Sequence, residues 1–238
     1  MTENMVTNLV KIRQQTMHLF DSVPLLPATG VENTGAVCHP IASSLYYIDQ
    51  SSHKLFDISL PYGYTIYRQH IMETINGLSL SSIYRLIHES YKLTWFQLCK
   101  DYMTDDDYAW YLKSSWLDED DPNQDRTVTR AEAISYFKLA SKQHLMNRAD
   151  LKIYQNLPET ITIYRGVSPK RARLGLSWTA DKEIASWYKK RYESGIKGQL
   201  LTAAINKKHI LAYIDDLNEK ELIVDVFSIQ SQIQEVCI

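Results

Sequence analysis

The sequence predicts an α+β fold in which a mainly helical region, residues 1–150, precedes a β-rich region, residues 151–238. Three observations carry this prediction. Apolar residues recur at helical spacing over 5–20 and again over 80–117. Thr129 and Glu132 stand three apart at the head of a further helical stretch, the spacing of a capping box. After Asn156-Leu157-Pro158-Glu159 the texture changes to short β-prone runs, ITIYRG, GLSWT, QLLTAAI, HILAYI and ELIVDVF, with one helix, KEIASWYKKRY, between the second and third. Strands in succession without regular intervening helices imply two packed, largely antiparallel sheets over 157–238, not a parallel doubly wound one.

Taken in order, Met5, Val6, Leu9, Val10, Ile12, Met17 and Phe20 form the apolar stripe of a first helix. Pro24, Pro27, Gly30, Gly35 and Pro40 then crowd into one loop. LPATG at 26–30 has the form of a sortase signal, but that signal needs an apolar segment and a basic tail near the C-terminus, so here it reads as part of the loop. Ile83, Tyr84, Ile87, Tyr91, Trp95, Leu98, Tyr108, Leu112 and Trp116 indicate two helices between Leu80 and Leu117, with the break near Thr104. The acidic stretch LDEDDPNQD at 117–125 lacks both the turn glycine and the closing glutamate of a calcium loop, and reads as a solvated linker. The next helix runs from Thr129 through Leu145. YTIYRQ at 64–69 followed by GLSL echoes ITIYRG at 161–166 followed by GLSW in the manner of a decayed internal copy, but nothing downstream of Ser79 completes the pattern.

Composition narrows the function. Lys and Arg total 26 against 28 Asp and Glu, and the net charge of −2 gives no general attraction to nucleic acid or an anionic membrane. The three cysteines, Cys38, Cys99 and Cys237, are scattered and odd in number, which fits a reducing compartment, and no CxxC or Cys/His cluster points to a metal. The N-terminal stretch lacks the continuous apolar core of a secretory signal, and the longest apolar runs, such as LIV at 222–224, fall far short of the roughly 20 residues that span a bilayer. These features place the chain in the cytoplasm with no membrane partner.

Three short elements carry a chemical pattern: Tyr164-Arg165-Gly166 ending a strand, Ser177-Trp178-Thr179 on the next, and Glu219-Lys220-Glu221 opening the last. Taken singly, Arg165 is an ordinary surface charge, Ser177 and Thr179 alternate positions of a half-buried strand, and the two glutamates a solvated edge. In this order they resemble the Arg, Ser-x-Ser/Thr and Glu-x-Glu signature of mono-ADP-ribosyltransferases. The resemblance spans about Leu157 to Val226 and extends to phage and bacterial toxins of that family. Tyr188 and Arg191 keep the aromatic-x-x-Arg spacing of the binary actin-modifying toxins. The tryptophan inside the serine motif, the threonine that ends it and the short 166–176 loop depart from the pattern and leave the acceptor open.

The resemblance implies a split β-sandwich core at 151–238, NAD as co-substrate, no metal, and a protein acceptor, with arginine favoured by Glu219. Residues 1–150 would dock the substrate or cover the cleft. Arg165 would hold the diphosphate, for which a planar guanidinium suits better than lysine. Gly166 would let the backbone approach the nicotinamide amide. Tyr164, Thr179, Tyr188 and Arg191 would complete the NAD site, with Tyr188 stacking on nicotinamide and Thr179 supporting its strand. Ser177 would orient Glu221, whose carboxylate would serve the ribosyl cation, and Glu219 would face the nucleophile. Lys170, Arg171 and Arg173 lie in the intervening loop as solvated charges or holders of phosphate. An NAD glycohydrolase and an inactive phage-type inhibitor with the same fold remain open alternatives, and a nucleic-acid acceptor is disfavoured by the charge.

Overall fold

The structure, a computed structural model, describes residues 6–28, 34–118, 127–169 and 171–236. Met5, Gly30, Lys170, Cys237 and the acidic stretch from 119 to 125 lie outside the described residues. The chain forms two compact units, Met1–Thr104 and Asp105–Ile238. The segment 105–150, grouped by sequence with the N-terminal region, thus belongs to the same unit as the strands.

In the first unit, α1 (Leu9–Ser22) opens at Asn8, whose side chain accepts a hydrogen bond from the Lys11 amide at 3.1 Å. Two short antiparallel pairs follow, β1 (Leu26–Pro27) with β2 (Val37–Cys38) and β3 (Tyr46–Ile48) with β4 (Leu55–Asp57). Helices α2 (Pro61–Gly77), α3 (Leu80–Leu86) and α4 (Lys92–Cys99) complete it. The core gathers Ile12, Phe20, Ile75, Ile83, Leu93, Trp95 and Phe96. Within it the Trp95 indole N–H donates to Thr16 Oγ1 at 2.9 Å, so burial leaves no donor unsatisfied there. The echo at 64–69 is not a second strand. Pro61 sits in the first turn of α2, where its missing N–H costs nothing, and Ile71 and Ile75, one helical turn apart, are buried.

The second unit begins with α5 (Asp105–Asp118), directly after Thr104 and with three aspartates in its first turn, where the helix dipole favours anions. The expected capping box opens α6 (Arg130–Leu139): Thr129 Oγ1 accepts from the Glu132 amide, and Glu132 accepts from the Thr129 amide at 2.8 Å. That helix stops short of Leu145, because Ala140 is extended, and α7 (Lys142–Leu145) is a separate turn. Helix α8 (Arg148–Gln155), with Asn147 capping two amides, leads into the sheet.

The strands are β5 (Thr160–Val167), β6 (Ser177–Thr179), β7 (Gln199–Asn206), β8 (Ile210–Ile214), β9 (Glu221–Val224) and β10 (Gln234–Glu235), and α9 (Lys182–Lys190) connects β6 to β7. The pairings are antiparallel, in the order β10-β7-β5-β6-β9-β8. Hydrogen bonding therefore joins the strands into one six-stranded sheet, where the sequence led us to expect two packed sheets. The join is thin. β5 and β7 align over eight residue pairs, whereas β5 and β6 share only Tyr164↔Thr179. The sheet is thus two three-stranded halves meeting at a seam. Helices α6 and α8 lie against β8, and α9 lies against β5. No helix among the described residues is long and apolar enough to cross a membrane.

Candidate functional site

A cleft with about 830 Å³ of free space, counting its open mouth, lies at this seam. Its walls include Tyr164, Arg165 and Gly166 from β5, Ser177 and Thr179 from β6, Tyr188 and Arg191 from α9 and its end, and Glu219 and Glu221 around the start of β9. All nine residues singled out in the sequence therefore face one space. Antiparallel register brings them there: Thr179 pairs with Tyr164 on one side and with Glu221 on the other.

Arg165 is only 7% exposed. Its Nη1 donates to the Ser177 carbonyl at 2.7 Å and its Nη2 to the Ala172 carbonyl at 3.1 Å, so the guanidinium bridges β5 to the loop that feeds β6. Gly175 makes room for it. A methyl carbon there would lie 2.1 Å from Nη2 and 2.4 Å from Cζ. Gly166 has a packing role as well. Its missing side chain would strike the Ala185 carbonyl at 1.9 Å and the Lys189 amide nitrogen at 2.4 Å, so what the glycine permits is the close approach of α9 to β5.

Glu221 is 6% exposed and lies at the first position of β9. Burial pushes its carboxyl pKa above the ordinary 4.5, opposed by hydrogen bonds from Ser177 and Trp116 and by the charge of Arg165, while Glu219 adds to the rise. The Trp116 indole N–H donates to Oε1 at 3.0 Å. Two residues away, Glu219 accepts from the Tyr188 hydroxyl. Alternation along a strand would send these two glutamates to opposite faces. Lys220 prevents this by adopting φ +47°, a left-handed turn. The turn is held at both ends, by the Lys220 amide on Asp215 Oδ1 at 2.8 Å and by its ammonium on Asp181 Oδ2 at 2.9 Å. Burial and the neighbouring carboxylates raise the Tyr188 phenol, which keeps it a donor.

Comparison with family models, with curated proteins and with solved structures returns no match. The chemistry of the cleft must therefore be read from its own atoms. A buried carboxylate held by two donors can face a developing cation, and Arg165, Arg171 and Arg191 are among the residues that line the cleft. No group of three or more metal-ligating side chains occurs among the described residues.

Sequence reasoning overlooked Trp116, Leu117 and Leu217 on the wall, and Gly175 beneath Arg165. Leu217 and Gly175 lie inside the motif region and were accessible to closer reading. Trp116 was not, because it lies 105 residues from its partner and reads locally as one more apolar position of a helix.

Proposed function

We propose that this protein is an NAD-dependent mono-ADP-ribosyltransferase that acts on a protein acceptor, with arginine the favoured side chain. The observation that carries this reading is the convergence of Arg165, Ser177 and Glu221, contributed by three strands, on one cleft, with the carboxylate buried and hydrogen-bonded there. The two three-stranded halves meeting at a single residue pair support the finer reading of the core as the split sandwich of that family. A cytoplasmic toxin or effector of the kind phages and bacteria carry is the setting that fits.

In the reaction, the bond between ribose C1′ and the nicotinamide nitrogen breaks, and its electron pair leaves with nicotinamide. Glu221 stabilises the resulting ribosyl cation, and Ser177 and Trp116 fix its carboxylate. Arg165 and Arg191 would meet the diphosphate, with Tyr164, Gly166, Thr179 and Tyr188 completing the walls. A guanidine nitrogen of the acceptor then attacks C1′, and Glu219 takes the proton that this nitrogen loses.

The test is incubation of the protein with NAD labelled in the adenylate part and with cell lysate, following nicotinamide release and label on protein together, beside Glu221→Gln. Label on protein that disappears in the variant supports transfer. Nicotinamide release without label on any macromolecule identifies a glycohydrolase, label on nucleic acid alone replaces the acceptor, and no turnover leaves a binding protein.

A further inference from the structure

Trp116 faces Glu221 from a helix that no sequence motif marks. It lies near the end of α5, is 2% exposed, and sets its ring edge-on to Phe137 with centroids 5.3 Å apart. Its N–H has one partner, Glu221 Oε1, at 3.0 Å. Three residues earlier on the same helix, Lys113 reaches Asp216 Oδ2 at 2.7 Å. Residues three apart share a helix face, so one face of α5 grips the 215–221 segment at two places, at Asp216 two residues past β8 and at Glu221 where the chain enters β9.

We infer that Trp116 is a positioning residue for Glu221: its indole N–H fixes the carboxylate in the cleft. The inference deepens the transferase reading and rests on it for the catalytic consequence alone. The physical case has two parts. A buried carboxylate with too few donors takes up a proton, and a protonated Glu221 carries no charge to stabilise a ribosyl cation. Also, a carboxylate free to rotate about its χ angles loses the preorganisation on which electrostatic stabilisation depends. Indole suits the task because it donates and cannot accept, so it never competes for the proton. The groups that face Glu221 are Ser177 from β6, Arg165 from β5, Glu219 from the preceding turn, Tyr188 from α9 and Trp116 from α5. Glu219 raises the carboxyl pKa, and Ser177, Trp116 and Arg165 lower it.

The test replaces Trp116 by phenylalanine and, in a second variant, by 3-benzothienylalanine, which keeps the bicyclic shape and exchanges only the N–H for sulfur. The titration of Glu221 is followed by NMR on protein carrying carboxyl-labelled glutamate, assigned with Glu221→Gln, beside the pH profile of nicotinamide release. Both Trp116 variants are expected to titrate Glu221 at higher pH than wild type. They should move the acid limb of the profile the same way and lower kcat roughly ten- to a hundredfold, the worth of one hydrogen bond to a charged group, with KM for NAD little changed. The benzothienyl variant fills the same volume, so a fold defect cannot account for its effect. An unchanged Glu221 titration in that variant overturns the inference, as does an unchanged kcat in an active enzyme. A shifted titration in a protein whose wild type never consumes NAD upholds the pairing and sinks the transferase reading instead.

Discussion

Replacing Gly175 by alanine tests the guanidinium clamp without touching it. The new methyl carbon would stand 2.1 Å from Arg165 Nη2, 2.4 Å from Cζ and 2.8 Å from Nη1, where relaxed contact begins at roughly 3.5 Å. The guanidinium must therefore retreat by about 1 Å or more, enough to break its 2.7 Å bond to the Ser177 carbonyl and its 3.1 Å bond to the Ala172 carbonyl. Arg165 is only 7% exposed, so water replaces these partners poorly. Hydrogen bonds from a charged donor are worth about 1.5–3 kcal/mol each, and overpacking costs about 1–3 kcal/mol, with relaxation recovering part of the sum. We expect a loss of about 3 kcal/mol, which thermal denaturation reads as a fall of roughly 6–12 °C. On the NAD reading, titration calorimetry should show affinity reduced at least about tenfold as the clamp moves. Gly77 is the control. No atom lies within 4 Å of a methyl carbon placed there, and its position ends α2, so Gly77→Ala should gain about 0.5–1 kcal/mol. Wild-type melting and NAD affinity in Gly175→Ala would refute the clamp, and lost stability with unaltered affinity would confine Arg165 to a structural brace.

On the transferase reading Glu221→Gln should abolish nicotinamide release, and it should raise stability by about 1–2 kcal/mol at pH above the folded Glu221 pKa, where wild type carries a buried charge at the site. The folded pKa lies above the ordinary 4.5, so wild type loses stability as pH rises from 4.5 through the folded value; the gain of the variant should therefore fade at more acid pH in parallel melts. Glu219→Gln should lose transfer to protein while retaining appreciable nicotinamide release, because the carboxylate that serves the ribose stays in place; normal transfer would remove Glu219 from acceptor recognition. Lys142 donates to the carbonyls of Phe137 and Leu211, and burial lowers its pKa from 10.5 to about 8. Between pH 8 and 10 the unfolded chain holds the Lys142 proton that the folded chain has released, so stability should rise with pH over that window, and less so in Lys142→Met, as denaturant titrations at both ends will show.

What the sequence disclosed follows from how local each signal is. The capping box at Thr129 and Glu132 acts within one turn, and it forms as read. The strands from β5 to β9 were legible because β-branched and aromatic runs are bounded by Gly, Pro and Asn. YTIYRQ echoes the later strand in letters alone, because the same letters form a helix once Pro61 starts one and Ile71 and Ile75 supply a buried stripe, a choice made by packing and not by the six residues themselves. The expectation of two sheets failed at one place, the Tyr164↔Thr179 pair, because backbone pairing across a seam leaves no mark on side-chain pattern. In the cleft, the motif residues came from the resemblance of three short elements, in order, to a known signature. Trp116 could not, because it is defined by the carboxylate it touches across the fold, whereas Gly175 opens the GLSWT run itself and only its contact with the guanidinium is a matter of the fold.

That difference bears on how the two glutamates can divide a reaction. Glu221 begins a strand buried along its length and paired on both edges, with Ile214 on one side and Thr179 on the other, and it receives its donors from inside the fold. Glu219 precedes the left-handed Lys220 and is bonded by Tyr188, a residue of α9 at the cleft wall. The turn at Lys220 is pinned by aspartates at its amide and at its ammonium, and so holds the two carboxylates in one cleft at different depths of support. A group that must face a cation without moving belongs at the rigid position. One that meets a macromolecular acceptor arriving from solvent belongs on the turn, where the side chain can adjust to it. On the proposed transferase reading, backbone support thus favours Glu221 for the ribosyl cation and Glu219 for the acceptor.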